Sequence, residues 1–146
     1  MAAERRAQVT WEGNLFEGSG RVALGSGVTG ELPVTWAART EESDGKTSPE
    51  ELIAGAQAAC FAMFLSNVLA KADHAPERLD VTATSSFDKK EEGWRLTTID
   101  LEVRGDVPGM EAAEFEKHAE TAKEGCPVSN ALKGNVDIQV DATLES

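Results

Sequence analysis

The sequence predicts an α+β fold: mostly antiparallel sheets around one long, buried central helix. Three observations lead there. Segments of period-two alternation come in pairs joined by short glycine-rich or polar turns. A nearly all-apolar helical run separates the first group of strands from the second. The element order is three strands, a long helix, two strands, a helix and one strand, which is not the strand–helix alternation of a parallel α/β sheet. The 146 residues suit one domain, residues 1–146. A chain of that length can bury a core without disulfides or metals.

Residues 7–12 (AQVTWE) alternate as a strand, with Val9 and Trp11 on one face. Gly13, Gly18 and Gly20 punctuate a hairpin into a second strand over 20–25 (GRVALG). Ser26-Gly27 makes a turn, and 31–37 (ELPVTWA) reads as a third strand. Pro33 lacks an N–H, so this strand belongs at an edge or carries a bulge. Residues 39–48 (RTEESDGKTS) form a polar loop that includes Arg39. Ser48 then fits an N-cap, Pro49 the first helical position, and Glu51 completes a capping box. Glu50 and Glu51 suit the positive end of the helix dipole.

This helix should run to about Asp73, about 37 Å at 1.5 Å per residue. Leu52, Ile53, Ala54, Ala56, Ala58, Ala59, Cys60, Phe61, Met63, Phe64 and Leu65 point all round its axis. A helix apolar all round is buried all round. It is not read as a membrane span, because Gln57, Ser66, Asn67 and Lys71 interrupt it. A small domain can hardly wrap it alone, and a second copy of the chain is the simplest cover.

After Pro76, residues 78–88 (RLDVTATSSFD) and 94–104 (WRLTTIDLEVR) alternate around the polar turn 89–93. Residues 110–124 (MEAAEFEKHAETAKE) form an amphipathic helix with Met110, Ala113, Phe115 and Ala119 inward, and Gly125 ends it. Pro127 to about Leu132 reads as one or two helical turns, and 135–144 (NVDIQVDATL) as a last strand. Trp11, Trp36 and Trp94 are read as core or interface residues.

The formal net charge is −12, from 26 acidic and 14 basic residues. That argues against nucleic acid or an anionic membrane as partner, since both need a basic footprint. The stretch MAAERRAQVTWEG has no apolar run that could act as a secretory signal, so the expected compartment is the cytosol. His74 and His118 are isolated and show no metal-ligand spacing.

The chemistry rests on the only two thiols, Cys60 and Cys126. A cysteine inside an apolar helix is ordinarily a small core residue. Two that meet through the fold can instead oxidise to a sulfenic acid and close to a disulfide. From position alone the more acidic thiol should be Cys126, at the start of a short helix beside Pro127. Cys60, mid-helix and buried, should have a raised pKa unless a cation approaches. The residues by themselves do not assign roles within the pair.

The stretch Thr47-Ser48-Pro49-Glu50-Glu51-Leu52-Ile53-Ala54, followed by Ala58-Ala59-Cys60-Phe61 with Met63 and Ser66, resembles the first active-site motif of the OsmC/Ohr family of peroxide reductases. Gly125-Cys126-Pro127-Val128-Ser129 resembles the second. Trp11-Glu12-Gly13, Gly20, Ser26-Gly27-Val28, Pro33 and Arg39 resemble the OsmC branch, so the similarity covers essentially the whole chain. One departure is Gln57, where a His is frequent in relatives.

The resemblance implies an intertwined homodimer and a thiol peroxidase acting on organic hydroperoxides and, less well, hydrogen peroxide. It implies Cys60 as the peroxidatic thiol, Cys126 as the resolving thiol, Arg39 as the activating arginine and Glu50 as its carboxylate. It implies no metal, haem or flavin, and an external dithiol, of lipoyl type or a laboratory dithiol, as reductant. Glu50 and Cys60 lie ten residues apart on one helix, about 15 Å along its axis, so a carboxylate serving the thiol would come from the partner's helix. Phe61, Met63, Phe64 and Leu65 pack the core or line an apolar pocket beside Cys60. The rival readings are a redox-sensing module without turnover and a structural dimer with inert thiols.

Overall fold

A computed structural model describes all residues, 1–146. The chain divides into two compact units, Met1–Leu52 and Ile53–Ser146.

The first unit holds β1 (Ala7–Glu12), β2 (Ser19–Leu24) and β3 (Leu32–Val34), an antiparallel sheet in that order. β2 is central and buries Val22. The third strand is shorter than the sequence predicts, and Trp36 and Arg39 lie in neither strand nor loop. A short helix, α1 (Trp36–Thr40), takes them instead. The reason is local: Thr35 is extended and its Oγ1 accepts the Ala38 N–H at 3.1 Å, the N-cap bond that starts a helix.

The long helix α2 (Pro49–Lys71) begins where predicted. The Glu51 N–H donates to Ser48 Oγ at 3.1 Å. Its sequence shows no apolar stripe, yet its burial does. Gln57, Phe61, Leu65 and Leu69 are fully buried, while Gly55, Ala56, Ala59, Met63, Asn67 and Ala70 are exposed. The expectation of burial on every side therefore does not hold within one chain, because the chain supplies cover for one face only. By length and composition α2 could cross a membrane, but its buried face forms the core of a sheet-and-helix unit.

That second unit contains β4 (Arg78–Lys90), β5 (Gly93–Asp106), α3 (Ala112–Gly125), α4 (Pro127–Leu132) and β6 (Asp137–Leu144). β4 and β5 pair antiparallel, as expected. β6 pairs parallel to β5, with Ile99 opposite Ile138 and Val103 opposite Ala142. The other three pairings are antiparallel, so the sheets are mostly antiparallel as expected, with β6 the exception. The α3–α4 connection carries the chain back to the starting end of β5, the crossover that a parallel neighbour requires.

Phe61, Leu65 and Leu69 of α2 pack with Ile99, Leu101 and Val103 of β5, and with Phe115, Ala119 and Ala122 of α3. Burying each large side chain here contributes about 1.5–3 kcal/mol. Gly105 of β5 makes room for Phe115, because a Cβ there would lie 2.5 Å from the ring.

Candidate active site

Cys60 sits midway along α2 and is half-buried, whereas Cys126 is fully buried. Cys126 joins two helices, closing α3 and opening α4 with extended backbone (φ −60°, ψ 128°). Its N–H donates to Ala122 O at 3.0 Å, and its carbonyl accepts the Asn130 N–H at 3.0 Å. Gly125 lets this elbow rest on α2: a Cβ there would lie 2.7 Å from Phe64 Cζ. The packing brings together two thiols that are 66 residues apart in sequence, with their Sγ atoms 2.8 Å apart and both cysteines free. A disulfide of about 2.05 Å needs less than an ångström of further approach.

The Cys60 thiol is pushed above its ordinary value of 9.0, first by burial and then by its hydrogen bond with Cys126, while the Val128 backbone amide opposes the rise. Val128 is the second residue of α4, so the start of that helix serves Cys60. The Cys126 side chain makes no capping bond to its own helix. Cys126 is the N-cap residue of α4 with Pro127 next to it, as the sequence predicts, and its sulfur turns toward Cys60 and Gln57 of α2.

Gln57 and Ser129 complete the surroundings. Gln57 is fully buried, and its Nε2 donates to Ser129 Oγ at 2.9 Å and to Cys126 Sγ at 3.9 Å. Gln57 Oε1 is buried and has no partner. In the sequence Gln57 stands out only as a departure from the family, and Ser129 carries no assigned role. A signal was available: Gln57 precedes Cys60 by three residues and Ser129 follows Cys126 by three, spacings that share a helix face.

Arg39 and Glu50 form a second assembly, in the first unit. Arg39 Nε donates to Glu50 Oε1 at 2.9 Å and Nη2 to Oε2 at 3.0 Å. This two-pronged pairing fixes the guanidinium plane. Glu50 is buried, and the Arg39 Cζ lies 5.8 Å from the centre of the Trp36 ring. α1 and the first turn of α2 therefore fix the guanidinium against Glu50 and Trp36. Among the proposed pocket residues, Phe61 and Leu65 are fully buried in the core and cannot line a substrate pocket, whereas Met63 is exposed.

Comparison with known proteins places this arrangement. The family model described as OsmC-like protein matches residues 42–141, a span that includes Glu50, Cys60 and Cys126. Peroxiredoxin OsmC of Escherichia coli is 41% identical over 146 residues, covering 100% of both chains, and so reaches Arg39 as well. Organic hydroperoxide resistance protein OhrA of Bacillus subtilis is 32% identical over 105 residues, 70% of this chain and 72% of that one. The crystal structure of an organic hydroperoxide resistance protein OsmC from Legionella pneumophila superposes with a TM-score of 0.73 at 25% identity, covering 97% of this chain and 99% of that one. OhrB of Bacillus subtilis shares the fold, with a TM-score of 0.75 at 24% identity over 94% and 98% of the two chains. A full-length relative, a family model spanning both cysteine motifs and the shared fold make one conclusion: the chain belongs to the OsmC family.

Proposed function

We propose that this protein is a thiol-dependent peroxidase that reduces organic hydroperoxides. The observation that carries the proposal is the 2.8 Å separation of the Cys60 and Cys126 sulfurs. Cys60, the half-buried thiol, meets the hydroperoxide, while Cys126 is fully buried behind it. The Cys60 thiolate attacks the distal oxygen, the O–O bond breaks, and the alkoxide leaves and takes a proton to become the alcohol. Cys60 is then a sulfenic acid. Cys126 attacks that sulfur, water leaves, and a Cys60–Cys126 disulfide remains. An external dithiol, of lipoyl type or similar, reduces the disulfide and is itself oxidised.

A thiol raised by burial is a poor nucleophile, so the first step needs a cation. Arg39 supplies it, with Glu50 holding the guanidinium in plane. Glu50 lies ten residues before Cys60 on α2, so Arg39 and Glu50 serve the thiol of a second copy. The exposed apolar face of α2 (Gly55, Ala56, Ala59, Met63 and Ala70) supports a homodimer in which helix packs on helix, with each chain acting as a single domain. The cytoplasm, where dithiol reductants are abundant, fits this chemistry.

The test is consumption of cumene hydroperoxide in the presence of dithiothreitol. Wild type should turn over repeatedly and Cys60→Ser not at all. Equal inactivity of both proteins would leave a sensor or structural module as the better reading.

A further inference from the structure

Gln57 is the buried polar residue that the peroxidase chemistry leaves without a task. Its side chain is completely enclosed, and one end of its carboxamide has no partner. A buried acceptor left unpaired destabilises a fold, and in a native structure it calls for a reason. A methionine of similar shape would fill the same space without the orphaned oxygen, at the loss of the bond to Ser129. The reason lies at the other end of the group, where Nε2 is anchored on Ser129 Oγ at 2.9 Å and reaches Cys126 Sγ at 3.9 Å. It is the one side-chain N–H donor seen on that sulfur.

We propose that Gln57 is a positioning residue for Cys126: its carboxamide, held by Ser129, keeps the resolving sulfur facing Cys60 and donates a hydrogen bond to it as it ionises. At 3.9 Å the contact is long for a neutral thiol. A negative sulfur draws the N–H closer, because hydrogen bonds to ionised groups are shorter and stronger. The bond therefore favours the state in which Cys126 attacks Cys60, and equally the state in which Cys126 leaves when a dithiol attacks the disulfide at Cys60. The proposal rests on the pairing of the two cysteines in the peroxidase reading, but its test needs no peroxide.

The probe is Ellman's reagent, 5,5′-dithiobis(2-nitrobenzoate). The half-buried Cys60 thiolate breaks its disulfide, forming a mixed disulfide and releasing one thionitrobenzoate anion. Cys126 then attacks the Cys60 sulfur, closes the Cys60–Cys126 disulfide and releases a second anion. The rate of the second release reports the Cys126 step alone, and Cys126→Ser should show only the first. In Gln57→Met the first release should match wild type and the second should slow by about tenfold to a hundredfold, the range expected for one hydrogen bond to an ionised sulfur. The thermal midpoint should stay near that of wild type, since the unpaired Gln57 oxygen is gone while the Ser129 hydroxyl loses its donor. Slower closure in a protein of near wild-type stability is not a packing effect. Ser129→Ala, which keeps the amide and removes its anchor, should also slow the second release.

Wild-type rates of the second release in both variants would overturn the proposal. So would slowing that comes only with a lowered midpoint. If wild type gives both releases but consumes no hydroperoxide, the peroxidase reading fails and the role of Gln57 is still decided by the variants.

Discussion

Gly125→Ala is the substitution that connects packing to chemistry most sharply. An alanine Cβ at this position falls 2.7 Å from Cζ and 2.8 Å from Cε1 of Phe64. Carbon atoms in contact settle at about 3.5–4.0 Å, so ring and elbow must separate by about 0.8 Å or more. Phe64 packs against the core around Leu65 and Phe115, which limits how far the ring can yield. Part of the shift passes to the next residue, Cys126, whose sulfur stands 2.8 Å from that of Cys60. Overpacking of this kind costs about 1–3 kcal/mol, and a misplacement of about 1 Å can slow a reaction about a hundredfold. The assay is intact mass after three equivalents of cumene hydroperoxide, enough for a thiol to pass the sulfenic stage. Wild type should be mostly disulfide, while Gly125→Ala should accumulate sulfinic acid at Cys60. Adding Phe64→Leu, which trims the obstructing ring, should restore closure. Wild-type disulfide yield in Gly125→Ala would refute the reasoning, because the elbow would then not be set by this contact.

Three further outcomes follow from the same geometry. Glu50→Gln removes the charge from a two-pronged pair whose carboxylate is buried; it should cost about 1–3 kcal/mol in thermal unfolding and lower peroxidase activity at least tenfold. Met63→Lys on the exposed face of α2 should shift sedimentation from dimer to monomer, and peroxidase activity should fall with the dimer. The raised pKa of Cys60 also has a definite sign. The fold is favoured while this thiol is neutral, so that stability is fully present below the ordinary value of 9.0 and is lost as pH rises through the raised value. Cys60→Ala should therefore lose less stability than wild type as pH rises past 9.0, as chemical denaturation can measure.

Much of the fold was legible because it rests on local signals. The capping box at Ser48–Glu51 starts α2 at Pro49 as read, and the alternation in β1, β4 and β5 marks strands at nearly the right bounds. Where tertiary partners decide, the sequence misleads. Trp36 and Arg39 look like a strand end and a loop because α1 is only five residues long and depends on one Thr35 hydroxyl. The parallel placement of β6 is invisible in its own alternation, since direction is set by the α3–α4 crossover. The one-sided burial of α2 could not be read either, because its hydropathy does not distinguish cover by its own chain from cover by another. The two cysteines and the residues of the Arg39–Glu50 pair are legible from motifs in the sequence. Gln57 and Ser129 are not, because a buried glutamine looks like an interruption until its partner is seen.

The most direct measurement of the central claim is the intact mass of wild type and Cys126→Ser after titration with cumene hydroperoxide. Wild type should lose two hydrogens and stop at a Cys60–Cys126 disulfide that dithiothreitol reverses. Cys126→Ser should instead gain oxygen at Cys60, first one atom and then more. If wild type gained oxygen at Cys60 without forming the disulfide, or if neither protein changed mass, Cys60 and Cys126 would not be the peroxidatic and resolving pair.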